Sequence, residues 1–330
     1  MKKVFTAKSV SILLLFFSIS ACNGPRIKLF PEYLGLISER KFSISPGNDL
    51  GIDVGGADVS IKSWNRSEVY FRVFGNENAK ERLDLIFDSS SSYIKHTTKL
   101  KELLFDSSPS IETKYEVMVP YKFNTNIHTS GGDIILSGVD GISELHSSGG
   151  DVVCEKIFGK LDISSGGGDI RLVGGDAQIT ISAAGGDIEQ IGVSGRSELH
   201  TSGGDVICRD FLGSLDISTA GGDLNLSGGN SDITVSTAGG EIDLDYYGEN
   251  LGIYLSSGGG DITLKLPGSF NADLKLSTIG GDITCTLLMN NISKMITAGY
   301  KKEIIAQLNE GGNKLGAYAG GGNIVISKRD

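Results

Sequence analysis

Between Asp133 and Glu241 a Gly-Gly-acid tripeptide returns every 18 residues, and no other property of the chain restricts its fold as tightly. The marker acid falls at Asp133, Asp151, Asp169, Asp187, Asp205, Asp223 and Glu241, and continues at looser intervals through Asp261, Asp282 and Asn323. Fixed self-similarity of this kind signals a stack of supersecondary units, none able to bury its apolar face alone. The residue after the marker is always aliphatic, as in Ile134, Val152, Ile170, Ile188, Val206 and Leu224. Two residues further on, the column reads Leu136, Cys154, Leu172, Gln190, Cys208 and Leu226, and six residues before the marker it reads Ile127, Leu145, Ile163, Ile181, Leu199 and Ile217. The position between the first two columns is mixed, with Arg171, Glu189 and Asn225, and the outward neighbours of the third are Glu144, Asp162, Thr180, Glu198 and Asp216, which is the period of a strand with one buried face.

These columns predict an all-β parallel β-solenoid, or β-helix, of about 18 residues per coil. Each coil has two strands of about five residues turned by the Gly-Gly pair, and a less regular return segment with room for a third. Right-handed coiling follows from the usual hand of parallel crossovers. Glycine at the corner is expected because a Cβ would clash in a positive-φ bend. Exposed ends of such a stack need covers, and the sequence offers residues 30–125 at one end and the charged tail Lys328-Arg329-Asp330 at the other. The segment Ser143–Val152 recurs almost unchanged as Ser197–Val206, an offset of three coils that reads as duplication of a three-coil block.

The first residues are a different object. Lys2, Lys3 and Lys8 precede an apolar run from Val10 to Ile19, which reads as an export signal. The sequence Ile19-Ser20-Ala21-Cys22 that follows resembles the lipobox of bacterial lipoproteins, which implies lipidation at Cys22 and a membrane tether. Asn23 after the cysteine favours the outer membrane in a didermal organism, again by resemblance. The expected organisation is a signal peptide at 1–21, a tether at 22–40, a degenerate β-strand N-terminal region at 41–125 with less regular capping strands, and the solenoid at 126–330. Removing the signal takes three lysines and no acid, so the formal charge falls from −10 to −13, and a basic footprint for nucleic acid is absent.

Stacked acids about 5 Å apart would repel, so the column Asp133, Asp151, Asp169, Asp187, Asp205, Asp223, Glu241, Asp261 and Asp282 needs compensation. Turn N–H groups donating to each carboxylate in Asx-type bonds are the reading taken here. A calcium roll would need a second glycine-acid half per coil, and this chain lacks it. Cys154, Cys208 and Cys285 share one inward column, with Cys154 and Cys208 three coils apart and Cys208 and Cys285 about four. That is beyond disulfide reach, and no CxxC spacing suggests zinc. His128, His146 and His200 share an outward column without a third ligand type, so no metal or cofactor is expected. The acids are spread along the stack rather than gathered on one face, which argues against an enzyme.

The segment Val54–Trp64, then Val117-Met118-Val119-Pro120, the Gly-Gly-Asp coils, Glu310–Asn313 and Gly322–Ile326 resemble the bacterial "putative adhesin" family of β-strand-repeat envelope proteins. The resemblance covers about residues 40 to 330. It implies a β-solenoid on the cell envelope, often membrane-tethered. The function expected is a non-enzymatic, lipid-anchored binding or adhesin-like module with a protein or glycan envelope partner. A structural or envelope-stress scaffold and a polysaccharide-active β-helix enzyme are the alternatives.

Overall fold

The computed structural model describes residues 34–101 and 110–329, all within one compact unit. The signal peptide and Cys22 lie outside the described residues. The unit is all-β, with its strands hydrogen-bonded into a single open sheet and one short helix at Glu77–Arg82. The 18-residue period becomes a pairing register: Val152 lies beside Ile170, Ile170 beside Ile188, Ile188 beside Val206 and Val206 beside Leu224, always parallel. Like therefore stacks on like. Ile163, Ile181, Leu199, Ile217 and Val235 form one buried ladder, and the aliphatic residues after each marker form another.

The return segment is strand as well. Residues such as Ile170–Ala183 run as one bent strand per level. The bend falls five residues after the marker acid, at Gly138, Lys156, Gly174, Gly192 and Asp210, which all take positive φ between 53° and 74°. Beyond it a third inward column carries Val139, Ile157, Val193 and Phe211, all buried. Phe211 packs beside Gly228, where an added Cβ would lie 2.6 Å from its ring. A side chain on one level is fitted to its absence on the next.

Chain order and stacking order differ at both ends. The first coil, Asp49–Val54 and Asp58–Trp64, is sandwiched between Asn124–Thr129 with Ile134–Ser137 on one side and Tyr93–Leu100 with Thr113–Pro120 on the other. The parallel stack thus begins well before residue 126. At the other end Lys314–Ala319 and Ile324–Lys328 slot between the level at Ile253–Leu266 and the level at Ala272–Cys285. Followed through Tyr115, Val59, Ile134, Val152, Ile170, Ile188, Val206, Leu224, Ile242, Ile262, Ile324 and Ile283, the stack has twelve levels. At ~4.8 Å per step it is about 50 Å long.

Antiparallel strands cover the outermost levels except at Ile283–Cys285, whose only strand partner among the described residues is Ile324–Lys328. Glu68–Gly75 and Leu83–Ser89 cover Thr113–Pro120 and Tyr93–Leu100, and Lys301–Leu308 covers Ala272–Ile279. The charged tail is not the C-terminal cover. Lys328 ends a strand inside the stack, paired with Leu266, and Arg329 turns sideways onto Asp245 (Nε to Oδ1, 2.6 Å) and over the Tyr247 ring. Gly35–Ser43 pairs with Glu68–Gly75, so the end of the stretch read as tether is strand.

Candidate binding groove

The marker acids do cap backbone N–H groups, but across levels rather than within their own turns. Asp133 Oδ1 accepts the Asp151 N–H at 2.9 Å, and the bond repeats from Asp169 to Asp151, Asp187 to Asp169, Asp205 to Asp187, Asp223 to Asp205 and Glu241 to Asp223. The series starts one level earlier, at Asp58. It resumes with the Asn323 N–H donating to Asp261 Oδ1 and the Asp282 N–H to Asn323 Oδ1, in stacking order and not chain order. An Asx bond within the turn is replaced by another device that the sequence also displays. The residue four before the marker is usually Ser or Thr, and its hydroxyl accepts the second glycine's N–H, as with Ser147 and Gly150 (3.0 Å), Thr219 and Gly222 (3.2 Å) or Ser257 and Gly260 (2.9 Å).

The second glycine is required by crowding between levels, not by positive φ. A Cβ on Gly150, Gly168, Gly204 or Gly222 would lie 1.7–2.2 Å from the preceding level's glycine carbonyl oxygen, and among the corner glycines Gly132, Gly150, Gly168, Gly186, Gly204, Gly222 and Gly240 only Gly186 has positive φ.

Cys154 and Cys208 are buried and Cys285 half-buried, all as free thiols. Burial pushes the Cys208 thiol up to about 12 and Cys154 higher still. Because the 314–328 coil intervenes, Cys208 and Cys285 are five levels apart, not four. His128 lies beside His146 with ring centroids 6.4 Å apart and its Nδ1 3.2 Å from Asp53 Oδ1, while His200 is three levels further on. No group of three or more His, Cys, Asp or Glu side chains among the described residues could hold a metal ion.

A concave feature of the surface lies toward the C-terminal end, where six strands line a groove of about 810 Å³. Its central outward row runs Thr234, Tyr254, Gly316, Lys275 and Ile305 across successive strands. Gly316 leaves the row without a side chain at its middle. The rings of Tyr254 and Tyr318 converge over that gap, with centroids 5.3 Å apart at 38°, and a Cβ on Gly316 would meet them at 3.4 and 3.1 Å. Tyr254 stays 45% exposed, and Lys275 Nζ stands 5.8 Å from the Tyr318 centroid.

The next row carries Lys314, Asp273 and Gln307. Asn291 Nδ2 donates to Gln307 Oε1 at 2.6 Å and Gln307 Nε2 to Asp273 Oδ1 at 2.9 Å, so one wall of the groove is a fixed amide-carboxylate chain. Asp232 faces it from three levels away. That is roughly 14 Å at the strand spacing, beyond the separation of a glycosidase carboxylate pair. Four charged side chains line the groove, Asp232, Asp273, Lys275 and Lys314, and their charges cancel. Sequence reading missed this site because it joins residues from six separate stretches of chain.

A family model described as Toastrack DUF4097 matches residues 48–310. No curated protein matches. Solved structures similar to the chain include a "putative adhesin" from Bacteroides fragilis, 17% identical over 72% of this chain and 98% of that one, with a TM-score of 0.43. A "putative lipid binding protein" from Parabacteroides distasonis is 13% identical over 88% of this chain and 96% of that one, with a TM-score of 0.33. A "putative cell adhesion protein" from Clostridium sporogenes is 13% identical over 88% and 99%, with a TM-score of 0.22.

Proposed function

The chain belongs to the Toastrack DUF4097 family, and from that premise we propose that it is a non-enzymatic binding module of the cell envelope, lipid-anchored through Cys22. The observation that carries the reading is the groove around Gly316, where an aromatic pair with Tyr254 45% exposed and hydrogen-bonding side chains meet on strands paired on both sides. Preorganised polar groups around an apolar surface suit recognition. The same groove sets its two carboxylates farther apart than a glycosidase pair, and no His or Cys lines it. The anchor rests on the lipobox-like Ile19-Ser20-Ala21-Cys22. Two or three acyl chains hold a protein on a membrane where one does not.

Two measurements test the reading. Wild type should partition with membranes and carry acyl mass on its N-terminal peptide, and Cys22→Ala should be soluble and unmodified. Native envelope extract passed over the immobilised soluble body should yield a component that the Tyr254→Ala, Tyr318→Ala double variant does not retain. Loss of nothing in that comparison, with the variant folded, would leave a scaffold without a ligand as the better account.

A further inference from the structure

We propose that the groove around Gly316 is a saccharide site that takes a neutral glycan, an inference that rests on the binding-module reading. Three features of the groove select this chemistry. Its floor is an aromatic platform. Gly316 leaves Tyr254 and Tyr318 room to close over the row, with Tyr254 45% exposed, and aromatic rings suit the C–H side of a pyranose because their negative quadrupole meets weakly positive hydrogens.

The rim supplies what sugar hydroxyls need. Asp273, Gln307 and Asn291 are joined in a chain of hydrogen bonds that fixes their orientation, while Lys275 and Lys314 have no ion-pair partner among the described residues and can donate. Fixed planar carboxylate and amide groups recognise paired hydroxyls with directional bonds. The charges cancel within the groove, so it offers no field for a polyanion.

The alternatives fit worse. A peptide adding as a strand needs a free sheet edge, whereas each floor strand, Ile253–Ser257, Lys314–Ala319 and Ala272–Ile279, is paired on both sides. A peptide docking by apolar side chains would need open apolar pockets, and Ile253, Leu274 and Leu315 point inward and are buried.

The test is isothermal titration of the soluble body with chitotetraose, cellotetraose and mannotetraose, with polygalacturonate and heparin as an acidic counter-set. At least one neutral oligosaccharide should bind. Tyr254→Ala and Tyr318→Ala should each weaken it roughly tenfold or more, Tyr254→Phe should retain it, and Tyr300→Ala, an exposed aromatic outside the groove, should leave it unchanged. Thermal melts of each variant separate lost binding from lost fold. Binding by none of the neutral sugars, binding confined to the acidic set, or binding indifferent to both tyrosines overturns the assignment. If those sugars fail while envelope extract still yields a component retained through the two tyrosines, the glycan class falls and the binding module stands.

Discussion

The two glycines of one corner should respond in opposite directions to a single methyl group, and Gly203 and Gly204 are the pair to use. An ideal Cβ on Gly204 would lie 1.7 Å from the Gly186 carbonyl oxygen, where real contacts do not fall below 3.0 Å. The two levels would have to part by more than an ångström at that corner. Three inter-level bonds sit there: Ser202 N–H to Ala183 O at 3.1 Å, Ile188 N–H to Asp205 O at 2.9 Å and Asp205 N–H to Asp187 Oδ1 at 2.9 Å. Losing them at about 1 kcal/mol each makes Gly204→Ala roughly 3 kcal/mol destabilising.

Gly203 has nothing within 4 Å of its Cβ position and no positive φ. Alanine there removes unfolded-chain freedom and should stabilise by about 0.4–1 kcal/mol. Equilibrium urea denaturation followed by far-UV circular dichroism compares the two, with hydrogen exchange at the Ile188 and Asp205 amides reporting whether the damage is local. Stacked repeats do not always unfold in one step, so the ordering of midpoints is the decisive result. Equal effects within about half a kcal/mol would mean that backbone conformation, not crowding between levels, places glycine at the corner.

Asp187→Asn keeps the acceptor for the Asp205 N–H and removes repulsion from Asp169 and Asp205, so its melting temperature should match or exceed wild type, while Asp187→Ala should cost about 1 kcal/mol. The column already uses an amide at Asn323. EDTA and millimolar Ca²⁺ should leave the wild-type melt unchanged, since a ligand bound only to the native state would shift it by many degrees. His96 is held neutral by burial, with its pKa lowered to about 4, its Nδ1 on the Ile86 carbonyl and its Nε2 without a partner. The unfolded chain takes up that proton first, so stability is full above about pH 6.5 and declines toward pH 4. Between pH 7 and 5 wild type should lose roughly 2 kcal/mol more than His96→Phe in urea titrations, and parallel pH profiles would refute this. Native alkylation should label Cys285 ahead of Cys154 and Cys208, whose thiols burial holds protonated, and urea should equalise them.

The shape of one level was legible in the chain because three columns of aliphatic residues repeat at fixed offsets, and each is buried as the alternation requires. The return segment was not, because its inward column mixes Val139, Ile157, Gly175, Val193 and Phe211, and Phe211 needs Gly228 rather than its own kind beside it. The acid column was visible but its bond was assigned within a turn. Only stacking reveals that each carboxylate reaches the next level, where the N–H is about one strand spacing away. The hydroxyl that does cap the turn stood in plain view four residues before the marker.

What the pattern could not give is the address of a level. Any coil carrying these columns can stack on any other, so periodicity is silent on order, and the loosened intervals after Glu241 were the one outward sign of rearrangement. The interleaving has two physical consequences. The coils 49–64 and 314–328, first and last among the described residues, have neighbours on each side, while the outermost levels are continued by chain in both directions and largely covered by antiparallel strands. Peeling off an outermost level therefore requires releasing chain on both of its sides. The second consequence is the groove. Gly316 and Tyr318 belong to the inserted coil, Tyr254 to the level below it and Lys275 to the level above, so the arrangement that locks the end of the fold also brings the aromatic pair and its polar rim together.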